Sequence, residues 1–213
     1  MKKKMILIVF FSVTVLFAGF NSSVEAIGPQ IKKRMIEGKS WRKGCPVKLE
    51  DLRYIRVSYW DFKGKIRSGE LIMHRDVSRD IVEVFEELYN LRYPVRKMQL
   101  VSDFKGNDWQ SIEAGNSSAF NCRSATGSKK WSKHAYGRAI DINPIENPYI
   151  SKSGHISHKA SLKYRKRAHR NLSDPGDRAV LLKNDKATQI FKKNGWKWGG
   201  DWPGIKDYQH FSK

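Results

Sequence analysis

The stretch Ser132-Lys133-His134-Ala135-Tyr136-Gly137-Arg138-Ala139-Ile140-Asp141 decides how this chain is read. It sets an imidazole and a carboxylate seven residues apart, with Gly137 between them. A turn at Gly137 can bring a loop imidazole and a strand carboxylate to one point. Ala139-Ile140-Asp141-Ile142 reads as a short strand that ends at Pro144. Near the C-terminus, Asp207 and His210 stand three residues apart. A catalytic zinc takes about three protein ligands from His, Asp, Glu or Cys and keeps one position open. His134, Asp141 and His210 are therefore a candidate donor set. On residue types alone this signal is weak, because each residue also has a plain structural role. His134 suits a surface, Asp141 can cap the turn at Asn143-Pro144, and Asp207 with His210 can form an ion pair. No H-E-x-x-H motif is present, which excludes the common zinc-protease helix as the scaffold.

Working outward, Leu52, Tyr54, Ile55, Val57, Tyr59 and Phe62 alternate loosely before Lys63-Gly64-Lys65, and a second β-type run follows from Ile66 to His74. Two such runs around a glycine-containing turn predict a hairpin. Asp76 is placed to cap a helix starting near Val77, whose Val77, Ile81, Val84, Phe85 and Leu88 share one face. Val95 to Val101 reads as a strand, and residues 103–130, rich in Gly, Ser, Asn and Lys, as a long loop. Residues 151–176 are polar and basic and read as a solvated loop, a lid or a substrate-contact segment. His155 and His158 within it could also form a second metal pair, although no third ligand is evident. A helix is predicted from about Arg178 to Lys193, stopped by Asn194-Gly195. Trp196, Trp198 and Trp202 read as core and rim packing in preference to a sugar platform. Asp201 is a rival acid, nine residues before His210. No internal repeat is found.

Lys2, Lys3 and Lys4, the apolar run from Met5 to Phe20 and the small residues of Val24-Glu25-Ala26 read as a signal peptide cut after Ala26. The run is short for a membrane anchor, which needs about 20 apolar residues. The chain divides into a signal peptide at 1–26, a basic arm or linker at 27–44 and one domain at 45–213. An exported protein matures in an oxidising compartment, so the two cysteines, Cys45 and Cys122, are expected to pair, with free thiols as the alternative. The net charge is +20, and removing three Lys and one Glu with residues 1–26 leaves about +18. Such a charge seeks polyanions. For an exported chain the expected partners are anionic wall polymers and peptidoglycan carboxylates. Charge serving solubility alone is the alternative. Nucleic acid would come first only for a cytosolic protein.

The full string Ser132–Asp141 resembles the S-x-H-x-x-G-x-A-x-D motif of the VanY-like D-alanyl-D-alanine carboxypeptidase family, which includes phage L-alanyl-D-glutamate endolysins and shares its zinc-site fold with hedgehog signalling domains. Gly195-Trp196-Lys197-Trp198-Gly199-Gly200-Asp201-Trp202 followed by Asp207-Tyr208-Gln209-His210-Phe211 resembles the family's closing acid-x-x-His element. Ser118-Ala119-Phe120-Asn121-Cys122-Arg123 resembles the segment that presents its active-site arginine. The resemblance runs from about residue 45 to 212. It implies Zn2+ held by His134, Asp141 and His210, with Asp207 as general base and Arg123 holding the scissile carbonyl oxygen or a substrate carboxylate. Many carboxypeptidase relatives carry Glu in place of Asp207, and Asp is more typical of the endolysin-like branch. The implied function is a zinc peptidase on peptidoglycan stem peptides, cutting either terminal D-Ala-D-Ala or the internal L-Ala–D-Glu bond. The alternative is a non-catalytic, basic wall-binding module on the same scaffold. The expected fold class is α+β, a small antiparallel sheet carrying the metal site with helices beside it. The protein is expected to be a secreted or periplasmic, wall-associated monomer with no stable membrane span after signal cleavage.

Overall fold

The computed structural model of the protein describes residues 19–213. Lys2 to Lys4 and most of the apolar run lie outside the described residues. Among those described, no helix is long and apolar enough to cross a membrane.

The predicted hairpin is present as β2 (Leu52–Trp60) and β3 (Ile66–His74), paired from Leu52 with His74 to Trp60 with Ile66. Asp61 builds the turn: its Oδ1 accepts the Lys63 and Lys65 N–H groups at 2.9 and 2.8 Å. A third strand, β1 (Ser22–Ala26), pairs antiparallel along β2 from Ser22 with Val57 to Ala26 with Arg53. Helix α2 (Ser78–Asn90) packs its buried Ile81, Val84, Phe85 and Leu88 against this sheet. These residues recur at the spacing of one helical face, so the amphipathic pattern and the burial coincide. The core continues through Ile140, Phe191, Trp196, Trp198 and Phe211, which join the hairpin to the C-terminal half.

Elsewhere the elements are short. Strands β4 (Lys97–Met98) and β5 (Asn116–Ser117) form a parallel pair. Strand β6 (Ala139–Asp141) joins a three-stranded antiparallel sheet with β8 (Lys197–Trp198) and, at its centre, β10 (His210–Ser212). Strands β7 (Tyr149–Ile150) and β9 (Lys206–Asp207) pair antiparallel beside it. The remaining helices are α1 (Pro29–Glu37), α3 (Asp108–Glu113), α4 (Pro175–Arg178) and α5 (Lys186–Lys193). The architecture is α+β, with small sheets and flanking helices.

Several sequence expectations are corrected. Residues 27–44, read as an arm, carry α1, whose Met35 is buried in a second cluster with Leu52, Ile72, Phe120 and Cys122. Its Arg34 forks onto Glu70, with both contacts at 2.7 Å, and onto Asp103 at 2.6 and 2.8 Å. Asp76 does not cap α2, which has no side-chain cap; Asp76 pairs with Arg138 instead. The expected strand Val95–Val101 is only two residues long, and the "loop" at 103–130 contains α3 and β5. The predicted helix 178–193 is split, because residues 179–185 leave the helix between α4 and α5. Cys45 and Cys122 are bonded, with a Cα–Cα distance of 5.8 Å across a separation of 77 residues. Closing a loop of that length stabilises the fold by about 4 kcal/mol in the chain-entropy account.

The strand β1 bears directly on the expected cut after Ala26. Asn21 and Ser58 exchange two hydrogen bonds at 2.9 and 3.1 Å. The Phe20 ring lies 5.7 Å from that of Tyr89. A chain beginning at Ile27 would therefore lose the edge strand and leave β2 unpaired on that side. We expect thermal denaturation to place a chain starting at Ile27 several degrees below one starting at Gly19. Equal melting temperatures would mean that β1 contributes nothing to the domain.

Candidate metal centre

The Ser132–Asp141 motif has a local physical reason at each fixed position. Ser132 opens a single turn over Lys133–Tyr136, and its Oγ accepts the His134 N–H at 3.3 Å. Gly137 ends the turn at φ +67°, in the left-handed region. A Cβ at this position would also lie 2.7 Å from the backbone nitrogen of His74. The close approach is used: the His74 N–H donates to the Gly137 carbonyl at 2.8 Å, docking the motif onto the end of β3. Ala139, fully buried, starts β6. Asp141 then lies directly across from His210 in the β6–β10 pair. On its other edge it exchanges hydrogen bonds with Ser118 at 2.8 and 3.0 Å. Cross-strand partners put their side chains on one face within reach of each other.

The three donors converge. His134 Nε2 lies 3.1 Å from His210 Nδ1 and 3.3 Å from Asp141 Oδ2, and His210 Nδ1 lies 3.1 Å from Asp141 Oδ1. Donors about 2.0–2.1 Å from a tetrahedral zinc stand roughly 3.3–3.4 Å apart. Asp141 meets the two rings with different oxygens, and one ligand atom from each of the three residues lies within 4.8 Å of the others, a spacing compatible with such an ion. His134 Nδ1–H donates to the Ala119 carbonyl at 2.5 Å, which turns Nε2 toward the other two donors. This is the usual second contact of a metal-binding histidine. All three residues are buried, and among the described residues they are the one group of donors able to hold a metal ion.

The electrostatics have the same origin. Burial alone would raise the pKa of Asp141, but the facing His134 and His210 rings overcome it and hold the carboxyl well below its usual range. Burial works against protonation of His134, and the Asp141 charge and hydrogen bond outweigh it, so its pKa rises. A carboxylate and two imidazoles held this way offer a cation its charge compensation in advance. Asp207 behaves oppositely: burial first, then the negative charge of Asp141, pushes it up to about 6, with His210 opposing. Its Oδ1 is buried without a hydrogen-bond partner among the described residues. An orphaned carboxylate oxygen beside a donor set is costly unless a proton, water or cation-bound ligand engages it.

Asp207 belongs to the same wall. It shares with His134, Asp141 and His210 a cavity of about 680 Å3 that opens to solvent. The tryptophan-glycine segment before it is explained here: a Cβ on Gly199 would lie 2.4 Å from the Asp207 carbonyl oxygen. Arg123 also lines the cavity, but its Nη2 is paired with Asp108 at 3.0 Å. The adjoining disulfide fixes the segment that carries it. Asp201 is elsewhere, half exposed and bonded to Lys192 at 2.6 Å. Trp196 and Trp198 are core residues, while Trp202 lines the cavity with its ring 5.3 Å from that of His210.

Part of the cavity lining was not legible as a site. It is made by Asp108, Trp109 and Ile112 of α3, with Trp131, Tyr149 and His158. Asn107-Asp108-Trp109-Gln110 carries the helix-start signal that could have found α3: Asn107 Oδ1 accepts the Gln110 N–H at 3.0 Å. His158 is neither free nor a metal donor. It pairs with Glu113 and lies against Trp109, with 3.9 Å between ring centroids and the planes tilted by 33°.

Residues 126–213 match the model of a family described as D-alanyl-D-alanine carboxypeptidase. The matched segment contains His134, Asp141, Asp207 and His210, and it supports the VanY-like family and a peptidase. No curated protein and no solved structure matches the chain.

Two substitutions test the donor set by metal analysis of purified protein. His134→Ala and His210→Ala, compared under conditions where circular dichroism shows each variant folded, should each lose the metal that the parent chain retains. Wild-type metal content in either variant would remove that residue from the set.

Proposed function

We propose that this chain is an exported zinc peptidase that cuts the stem peptides of peptidoglycan. The observation that carries the reading is the convergence of His134, Asp141 and His210 beside a partnerless buried oxygen of Asp207, on the wall of an open cavity. Bound zinc would supply a Lewis acid and a coordinated water of pKa near 7. The chain's own residues divide the remaining work. His134 Nε2, His210 Nδ1 and the Asp141 carboxylate would hold the ion, and the Ala119 carbonyl keeps His134 in the right tautomer. Asp207 Oδ1 is free to accept a proton from the attacking water and return it to the leaving amine, as general acid–base catalysis requires. Burial raises its pKa in the metal-free chain, and a bound cation would bring it down, leaving the carboxylate form that accepts the proton. Arg123, at the cavity edge, would face the carbonyl oxygen on which negative charge develops.

Of the two candidate bonds, the internal L-Ala–D-Glu bond is favoured. An exopeptidase clamp for a free carboxylate wants an uncompensated cation, whereas Arg123 already carries the Asp108 carboxylate. The cavity lining also includes Trp202, Ile205, Trp109 and His158 besides the donor set, and its volume of about 680 Å3 leaves room for more peptide than a single terminal residue. Cleavage of terminal D-Ala-D-Ala is the second reading, favoured by the description of the matching family. The net charge of +20 suits a substrate embedded in anionic wall polymers.

Mass spectrometry of muropeptides digested with the zinc-loaded protein decides between the bonds. Release of the stem beyond its first L-Ala is the expected product, and loss of a single terminal Ala would assign the carboxypeptidase activity. Asp207→Asn should keep its metal and lose about 100-fold or more in kcat, the scale of a general base. Turnover within a few-fold of the parent would move the base elsewhere.

A further inference from the structure

The polar stretch 151–176 turns one side chain inward. Arg167 leaves the solvent and places its guanidinium 4.4 Å over the ring of Tyr208, the residue between Asp207 and Gln209. Its Nη1 donates to the Glu146 carbonyl at 2.6 Å and to the Tyr164 carbonyl at 3.2 Å. Its Nη2 donates to Asn147 Oδ1 at 2.6 Å and to the Leu181 carbonyl at 3.1 Å. Burial lowers its pKa to about 10, which leaves it charged at neutral pH.

Asn147 is the other half of this hub. It is fully buried, and its Nδ2 donates to the Ile142 carbonyl at 3.2 Å, immediately after Asp141, and to the Ala179 carbonyl at 2.9 Å. Its Oδ1 also accepts the Leu181 N–H at 2.7 Å. The following residues bind the opposite strand: the Tyr208 N–H donates to the Pro148 carbonyl at 3.3 Å, and Tyr149 pairs with Asp207. Arg167 therefore touches two pieces of chain at once. One, through Asn147, is bonded to the Ile142 carbonyl just after the strand of Asp141, and the other carries Asp207.

We infer that Arg167 is a positioning residue, bracing the Asp207–Tyr208 strand against the Asp141 strand so that the Asp207 carboxylate is held beside the donor set. Arg167 touches neither the donors nor the cavity lining, and it acts through the Tyr208 ring and the Asn147 side chain. Its fixed planar fork matters, because lysine cannot make the same divergent contacts while lying flat on the ring. The inference rests on the peptidase reading for its catalytic consequence, but the brace itself is a property of the fold.

The test compares Arg167→Met, Arg167→Lys, Tyr208→Leu and Tyr208→Phe in the zinc-loaded full chain. Two readouts are taken together: amide hydrogen exchange over residues 147–150 and 206–209, and kcat and KM on a stem peptide. Arg167→Met and Tyr208→Leu should exchange faster at those amides, keep stoichiometric zinc, and lose tenfold or more in kcat with KM within twofold of the parent. Tyr208→Phe keeps the ring and should match the parent, and Arg167→Lys should recover little of the loss. If Arg167→Met does not fold, the Tyr208 pair carries the comparison alone. Unchanged exchange at these amides, or an unchanged kcat alongside faster exchange, would overturn the assignment. If the parent chain hydrolyses no stem peptide, the peptidase reading fails. The exchange data then decide the brace by themselves, faster exchange supporting it and unchanged exchange ending it.

Discussion

Holding the ionised Asp141 carboxylate in a buried corner is the constraint on which the rest of the structure depends. A buried charge without partners costs several kcal/mol, and removal of one partner from a buried pair is strongly destabilising. Here the partners are two imidazoles, His134 and His210, brought from 7 and 69 residues away. The fold supplies them by two devices. One is the glycine-ended turn that follows Ser132 and feeds directly into β6. The other is the return of the C-terminal strand β10 as the centre of the small sheet, which places His210 opposite Asp141. The Ala119 carbonyl fixes the ring of His134, and the Cys45–Cys122 bond ties the same segment to the N-terminal part of the chain. Asp207 is then a second buried carboxylate: burial, reinforced by the charge of Asp141, moves its pKa up, while the facing imidazoles move that of Asp141 down.

The parts of this account that were legible in the sequence are those with short-range physical signatures. The hairpin β2–β3 and helix α2 were readable because alternation and helical spacing are local patterns, and their buried residues coincide with the predicted faces. The donor set was readable only through whole motifs. Taken singly, His134 and His210 could not be told from surface histidines, since what joins them is the pairing of the Asp141 and His210 strands across 69 residues. The motif positions Gly137 and Gly199 turn out to be steric requirements, each facing backbone atoms where a Cβ cannot fit.

What was not legible has a common cause. Where elements are two or three residues long, as in β4 to β10, propensity has too few residues to average over, and tertiary contacts decide. Residues 27–44 looked like an arm because α1 buries only Met35; a single buried residue leaves little periodicity to read. Residues 151–176 looked like a solvated loop because they are polar. Their order comes instead from side chain to backbone bonds: Arg167 to three carbonyls, His169 to the Asp177 carbonyl and Asp185, and Asp177 to the Asn171 N–H. Polar content is a poor guide to disorder when the polar groups find internal partners. The part of the cavity lining made by α3 and His158 was missed for the same reason, since Trp109 and His158 meet only in the folded chain.

X-ray absorption at the zinc edge of the zinc-loaded protein tests the central claim most directly. The account predicts one ion per chain with a first shell of two imidazole nitrogens, one carboxylate oxygen and one further light atom, at about 2.0–2.1 Å. A shell without imidazole, a six-oxygen shell, or the failure of the chain to hold zinc at all would contradict it.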